Sequence, residues 1–218
     1  MTAVIGVLAL QGDFAEHCLA LTKCGSKAIE VRHSAQLKEI DGLIIPGGES
    51  TAIDKLTSEN PDPIFDTIYA LGKGGMPIYG TCMGSIFLAN EIEGSTQGRL
   101  GLMHIRVKRN AFGPQRNSFE TAIAVEELGE EPYPAVFIRG PIITAVGPTV
   151  KVLAQIDDGI VMAREGNLLV TAFHPEITDD LRVHRYFLQM VQENEDFLTQ
   201  EIFCAPPAPF TPAAPPAF

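Results

Sequence analysis

Three short stretches of the chain combine residue types able to do covalent chemistry. In Met76-Pro-Ile-Tyr-Gly-Thr-Cys-Met-Gly-Ser85, a short apolar strand runs into Gly80-Thr81-Cys82-Met83-Gly84, after which a helical pattern begins. This G-x-C-x-G is the thiol form of a nucleophile elbow. Glycine on both sides lets the chain turn sharply and lets the helix pack close to the strand. The thiol is then expected to stand exposed at a helix N-terminus, where the dipole favours thiolate. Taken alone, the same pattern also fits a buried Cys in a glycine-rich turn. A catalytic Cys needs a base, and His174-Pro175-Glu176 follows the apolar run Leu168 to Ala172. Pro175 biases His174 toward extended chain, in which residues two apart share a side. Glu176 would then hold the imidazole in one tautomer while the other nitrogen takes the thiol proton, a Cys-His-Glu triad. The third stretch, Ile44-Ile-Pro-Gly-Gly-Glu-Ser-Thr51, is again a strand running into glycines. Alone it is a turn; beside the other two, Gly47 and Gly48 can aim backbone N–H groups at a developing oxyanion, together with the amide of Met83.

The elements that position these residues alternate. An apolar run Ala3 to Leu10 is broken at Gln11-Gly12-Asp13 and followed by an amphipathic stretch from Phe14 to Cys24. Lys27 to Val31, Gly42 to Ile45 and Pro77 to Tyr79 have strand character, with a helical pattern around Ile64 to Leu71. Buried strands joined by helices imply a largely parallel sheet covered on both faces, and open sheets of this kind place sites at the C-terminal ends of strands. From Gly101 to Thr171 the pattern changes to short β-rich pieces: Ile123 to Val125, Val136 to Ile138, Val152 to Ile156, Ile160 to Ala163 and Leu168 to Ala172. A mixed or antiparallel section is expected there. A last helix runs from Asp180 to about Glu195, with Leu181, His184, Phe187, Leu188 and Val191 at helical spacing.

Composition narrows the functional classes. The 218 residues carry 16 Lys and Arg against 27 Asp and Glu, a net charge of −11, which argues against a nucleic-acid binder. Hydrophobic residues make up 45%, enough to exclude global disorder. No apolar run approaches a membrane span and no basic residue precedes the first one as in a signal peptide, so a cytoplasmic location is expected. Cys18, Cys24, Cys82 and Cys204 form no C-x-x-C pair, so reduced thiols are expected. Residues 205–218 hold six Pro, five Ala, two Phe and one Thr with no charge, and should form a polyproline-like or disordered tail. That tail is either an inert extension or a docking peptide. One domain over residues 1–200 accounts for the rest.

The three chemical stretches, in this order, resemble the class I glutamine amidotransferases. The resemblance narrows to the glutaminase subunits of pyridoxal 5′-phosphate synthase through Val7-Leu-Ala-Leu-Gln-Gly12, Gly42-Leu-Ile-Ile-Pro-Gly-Gly-Glu-Ser-Thr51, Arg109-Asn-Ala-Phe-Gly113, Phe137-Ile-Arg139, Phe173-His-Pro-Glu176 and Arg182-Val-His-Arg-Tyr-Phe187, covering roughly residues 3–195. It implies an α/β fold, a flavodoxin-like three-layer sandwich with a mostly parallel central sheet and some antiparallel strands. It also implies hydrolysis of L-glutamine to glutamate and ammonia, without cofactor or metal. The ammonia would be channelled to a separate synthase subunit in a hetero-oligomeric complex for vitamin B6 biosynthesis.

By the same resemblance Cys82 is the nucleophile, His174 the general acid/base and Glu176 its orienter. Gly48, Glu49 and Ser50 fall in the substrate-binding loop. Arg109, Ile138 and Arg139 fix the glutamine, the arginines countering its carboxylate. Gln11 sits near the subunit interface. Read without the family, Arg109 with Arg106 and Lys108 marks a solvated strand face, and Arg139 a surface ion-pair residue. The chain departs from the family pattern at Met83 and Ser85, where small and aliphatic residues are usual, which bears on pocket volume, and at Gly140, where alanine is usual. The alternatives are the glutaminase of another amidotransferase, a γ-glutamyl hydrolase, or a catalytically silent scaffold of the synthase.

Overall fold

Strands with almost no polar residue must bury both faces, and this chain places four of them side by side. The structure, a computed structural model, describes residues 2–48, 62–112 and 118–194. In chain order its elements are β1 (Val4–Leu8), α1 (Phe14–Lys23), β2 (Lys27–Val31), β3 (Gly42–Ile45), α2 (Ile64–Lys73), β4 (Ile78–Thr81), α3 (Met83–Leu88) and β5 (Ala89–Ile92). There follow β6 (Met103–Lys108), β7 (Ser118–Ile123), β8 (Tyr133–Ile138), β9 (Ile142–Val146), β10 (Lys151–Ile156), β11 (Gly159–Glu165), β12 (Leu168–Thr171) and α4 (Arg182–Glu193). Short 3-10 turns cover Ser34–Glu39, Glu126–Leu128 and Pro175–Ile177.

The main sheet runs β2-β1-β3-β4-β12-β11-β9-β6-β5, with β10 paired to β11. The strands from β2 to β12 are parallel to their neighbours, and β11 and β9 introduce the antiparallel section. Successive residues of a strand point to opposite faces. Leu43 and Ile45 of β3 enter one core with Ile78, Leu168 and Val170. Ile44, Tyr79 and Leu169 enter the other. The first core is closed by Ile64, Phe65, Ile68 and Leu71 of α2 and by α3. The second is closed by Leu21 of α1, by Val183, Phe187 and Val191 of α4, and by the β7-β8 hairpin through Tyr133 and Phe137. Three layers result, as expected of an α/β sandwich.

Three strands depart from the sequence reading. β5, with Asn90 and Glu91 in it, has little intrinsic strand character; pairing with β6 directly after α3 imposes it. β9 was hidden behind Gly140-Pro141. Ile123 ends β7 rather than opening a strand, and the chain then enters the 3-10 turn Glu126–Leu128. Glu49, Ser50, Cys204 and the Pro/Ala-rich segment 205–218 lie outside the described residues. Among the described residues no helix is long and apolar enough to cross a membrane.

Candidate active site

The nucleophile turn is built by close approach. β4 ends at Thr81, and Cys82 takes φ 47°, ψ −105° before α3 begins at Met83. The sharp turn therefore falls on the cysteine itself; the flanking glycines serve packing. A Cβ on Gly84 would stand 2.1 Å from the carbonyl oxygen of Ile45, and one on Gly80 2.5 Å from that of Gly84. The Cys82 N–H donates to the Thr171 carbonyl at 2.8 Å. Ser85 closes the turn through its hydroxyl, which donates to the Cys82 carbonyl at 2.6 Å. Contrary to the expectation of an exposed thiol, Cys82 is only 6% exposed. Its Sγ points toward the Ile138 carbonyl, 3.9 Å away, at the wall of a cavity of about 440 Å³. Met83 is buried in the core beside Ile86.

His174 follows β12, its N–H donating to the Val136 carbonyl at 2.8 Å. The chain does not stay extended after it: Pro175–Ile177 form a 3-10 turn, and this turn returns Glu176 to the imidazole. His174 Nδ1 donates to Glu176 Oε1 at 2.7 Å. A second carboxylate, Asp13 Oδ2, stands 3.5 Å from the same nitrogen. Burial by itself would lower the His174 pKa, but hydrogen bonding and charge from Cys82 and Glu176 outweigh it and raise it to about 10. Burial pushes Glu176 up, and the bond from His174 offsets this only in part. Nε2 of His174 is buried and, with Nδ1 taken by Glu176, is the ring nitrogen left to the Cys82 thiol or to a bound reactant.

The cavity is lined by Asp13, Gly48, Cys82, Met83, Ile86, Arg109, Asn110, Ile138, Arg139, Pro141 and His174. Cys82, Asn110 and Arg139, with φ of 47°, 47° and 46°, are the non-glycine residues with positive φ among the described residues, and all three line it. Such strain clusters where function over-determines the backbone. The basic stretch on β6 divides its duties. Arg106 pairs with Glu91 at 2.9 Å, whereas Arg109, past the strand end, enters the cavity and donates to Gln97 Oε1 at 2.7 Å. Arg99 in turn binds the carbonyls of Gln97 and Asn90 at 3.2 and 2.7 Å and so fixes the loop that holds Arg109.

Gly47 departs from its expected part. Its N–H donates to Thr81 Oγ1 at 3.0 Å and is thereby committed away from the thiol, while its Cα lies against the His174 ring. Gly48, with φ of +144°, lines the cavity and packs against the Gln11 carboxamide, whose Oε1 would stand 2.0 Å from a Cβ there. Glu49 and Ser50, expected beside it, fall outside the described residues. Asp13 and Pro141 line the site without a prior signal: Asp13 read only as part of the break after the first strand. Among the described residues, Asp13, His174 and Glu176 also form the group of cation-type ligands whose atoms come within 4.8 Å of one another. The 2.7 Å His174–Glu176 bond already uses the nitrogen that a cation would need.

The chain is 54% identical over 187 residues to a pyridoxal 5′-phosphate synthase subunit PdxT from Moorella thermoacetica, covering 86% of this chain and 98% of the relative. To the protein of that name from Pelotomaculum thermopropionicum it is 55% identical over 185 residues, covering 85% and 93%. A crystal structure of a glutamine amidotransferase, 46% identical, superposes with a TM-score of 0.80 over 86% of this chain and 98% of that one. A chain of the PurLQS structure from Thermotoga maritima shares the fold at 18% identity, with a TM-score of 0.63 over 87% and 99%. A model of the SNO glutamine amidotransferase family matches residues 7–193, and the chain belongs to that family.

Proposed function

We propose that Cys82, His174 and Glu176 hydrolyse L-glutamine in this cavity, and that the chain works as the glutaminase subunit of pyridoxal 5′-phosphate synthase in vitamin B6 biosynthesis. The observation that carries the site assignment is the convergence of a buried thiol, a charged imidazole and two arginines on one cavity. Arg109 and Arg139 suit the α-carboxylate of an amino acid, and Asp13 its ammonium group. The Cys82 thiolate attacks the side-chain amide carbon, and the His174 imidazolium gives its proton to the departing ammonia. Water then cleaves the γ-glutamyl thioester, releasing glutamate and restoring the thiol. The N–H of Met83, at the first position of α3 where the helix offers no acceptor of its own, would meet the oxyanion, with Gly48 also on the cavity wall.

The similar proteins from Moorella thermoacetica and Pelotomaculum thermopropionicum are named as subunits of pyridoxal 5′-phosphate synthase, which supports transfer of the ammonia to a separate synthase subunit. The test is ammonia release from glutamine by the chain with that subunit. Cys82→Ala should abolish release with the circular dichroism spectrum unchanged, while Cys18→Ala and Cys24→Ala, on α1 and at its end, should leave it intact. Release surviving Cys82→Ala would overturn the nucleophile assignment.

A further inference from the structure

Behind the triad lies a buried polar cluster that hydrolysis as described does not use. Two fully buried histidines, His17 on α1 and His184 on α4, meet there with Nδ1 of His17 3.0 Å from Nε2 of His184. Nε2 of His17 faces two oxygens: Thr81 Oγ1 at 3.2 Å and Glu176 Oε2 at 3.4 Å. Glu176 Oε2 is buried and has no hydrogen-bond partner, although Oε1 of the same carboxylate binds His174. Nδ1 of His184 is also buried and unpartnered. Burial holds both imidazoles neutral at ordinary pH, its effect on His17 reinforced by His184 and His174. Each ring therefore carries one N–H, and the arrangement has two tautomeric solutions.

In the first, the Thr81 hydroxyl donates to Nε2 of His17, Nδ1–H of His17 donates to His184, and His184 is left with a buried N–H that meets nothing. A lone pair of His17 then faces the carboxylate. In the second, Nε2–H of His184 donates to Nδ1 of His17, and Nε2–H of His17 faces Glu176 Oε2. Thr81 Oγ1 still accepts the Gly47 N–H. The unpaired group on His184 is then a lone pair, and an unmet acceptor is tolerated better than an unmet donor. The second carboxylate oxygen also gains a donor where it otherwise has none, and leaving one oxygen of a buried anion unmet is costly.

We infer that His17, with its tautomer set by His184, is a positioning residue of the glutaminase reaction: its Nε2–H holds the second oxygen of Glu176 and so aims the first at His174. A carboxylate held at one oxygen can swing about that bond; held at both, it keeps the imidazole in the orientation that serves Cys82. The inference rests on the glutaminase reading for its kinetic effect but not for its tautomer.

Two measurements test it. In the chain labelled with nitrogen-15 on histidine, the two ring nitrogens of His17 should report a protonated Nε2 and a bare Nδ1; a protonated Nδ1 would overturn the inference whether or not glutamine is the substrate. In glutamine hydrolysis with the synthase subunit present, His17→Asn, whose amide reaches only the Nδ1 position, should lower kcat about tenfold with KM unchanged. His17→Gln, whose amide reaches the Nε2 position, should recover most of that loss. Equal kcat in both variants, or a loss that tracks their melting temperatures alone, would reduce His17 to a structural residue. Wild-type protein inactive toward glutamine would defeat the glutaminase reading and leave the tautomer result standing.

Discussion

His174 stays charged in a place where burial alone would strip its proton, because Cys82 and Glu176 lie on either side of it. The consequence for pH follows from the sign of the shift. A histidine raised from 6.5 to about 10 contributes stability that is complete below pH ~6.5 and fades as pH rises through about 10. Chemical denaturation should therefore show a loss of stability between those limits that is absent in His174→Asn. Kinetically, His174→Asn should be about as damaging as loss of the nucleophile, and Glu176→Gln milder, since it keeps an acceptor for Nδ1 but not the charge. The double variant should be scarcely worse than the worse single one, because the residues act as a unit; multiplicative losses would argue against a shared triad. The three residues of the proposed triad were legible in sequence because each belongs to a local pattern, a glycine-flanked elbow or a His-x-Glu step. Asp13 and His17 were not. Nothing local tells that one turn of α1 falls on the Glu176 carboxylate, a contact 159 positions away in the chain for His17 (176 − 17).

Gly84 shows how narrow the tolerance is where one element meets another. Its missing Cβ lets α3 approach the carbonyl of Ile45 on the neighbouring strand, so Gly84→Ala must displace either α3 or β3. The expected cost is about 3 kcal/mol, read from urea denaturation, together with loss of ammonia release. A second junction depends on charge. Arg182, at the start of α4, binds Asp180 at 2.6 Å and donates to the carbonyls of Glu131 and Pro132 at 2.6 and 3.0 Å, tying the helix to the loop before β8. Burial would raise Asp180, but its bonds with Arg182 hold it below 3.8, so this contribution is present above pH ~3.8 and lost as pH falls further. Arg182→Ala should destabilise by about 2 kcal/mol at neutral pH and by less in acid, measured by denaturation at both. The parallel strands and their helices could be read ahead of the structure because their apolar runs leave no other use for them. β5 could not, since its partner β6 rather than its own residues makes it a strand, and Gly140-Pro141 concealed β9.

For the molecule as a whole, ammonia formed without an acceptor at hand is wasted, so a separate glutaminase subunit is useful when docking turns it on. Gln11, resting against Gly48 at the cavity wall, is where such a signal would enter. Hydrolysis should rise on adding the synthase subunit, and Gln11→Ala should weaken that rise more than it weakens the basal rate. Equal kcat/KM for the free and the complexed chain would rule out the switch; an unaltered rise in Gln11→Ala would remove Gln11 from it. The left-handed backbone of Cys82, Asn110 and Arg139 bears on the molecule's history under selection. Such a conformation costs a non-glycine residue on the order of 1 kcal/mol, and glycine would relieve it. Arg139→Gly should thus raise the melting temperature by about 3 °C while weakening the hold on a substrate carboxylate. With Arg139 in its proposed role, heat resistance and activity would pull in opposite directions at this wall, and variants chosen for durability alone would drift toward a sturdier protein with a poorer grip on glutamine.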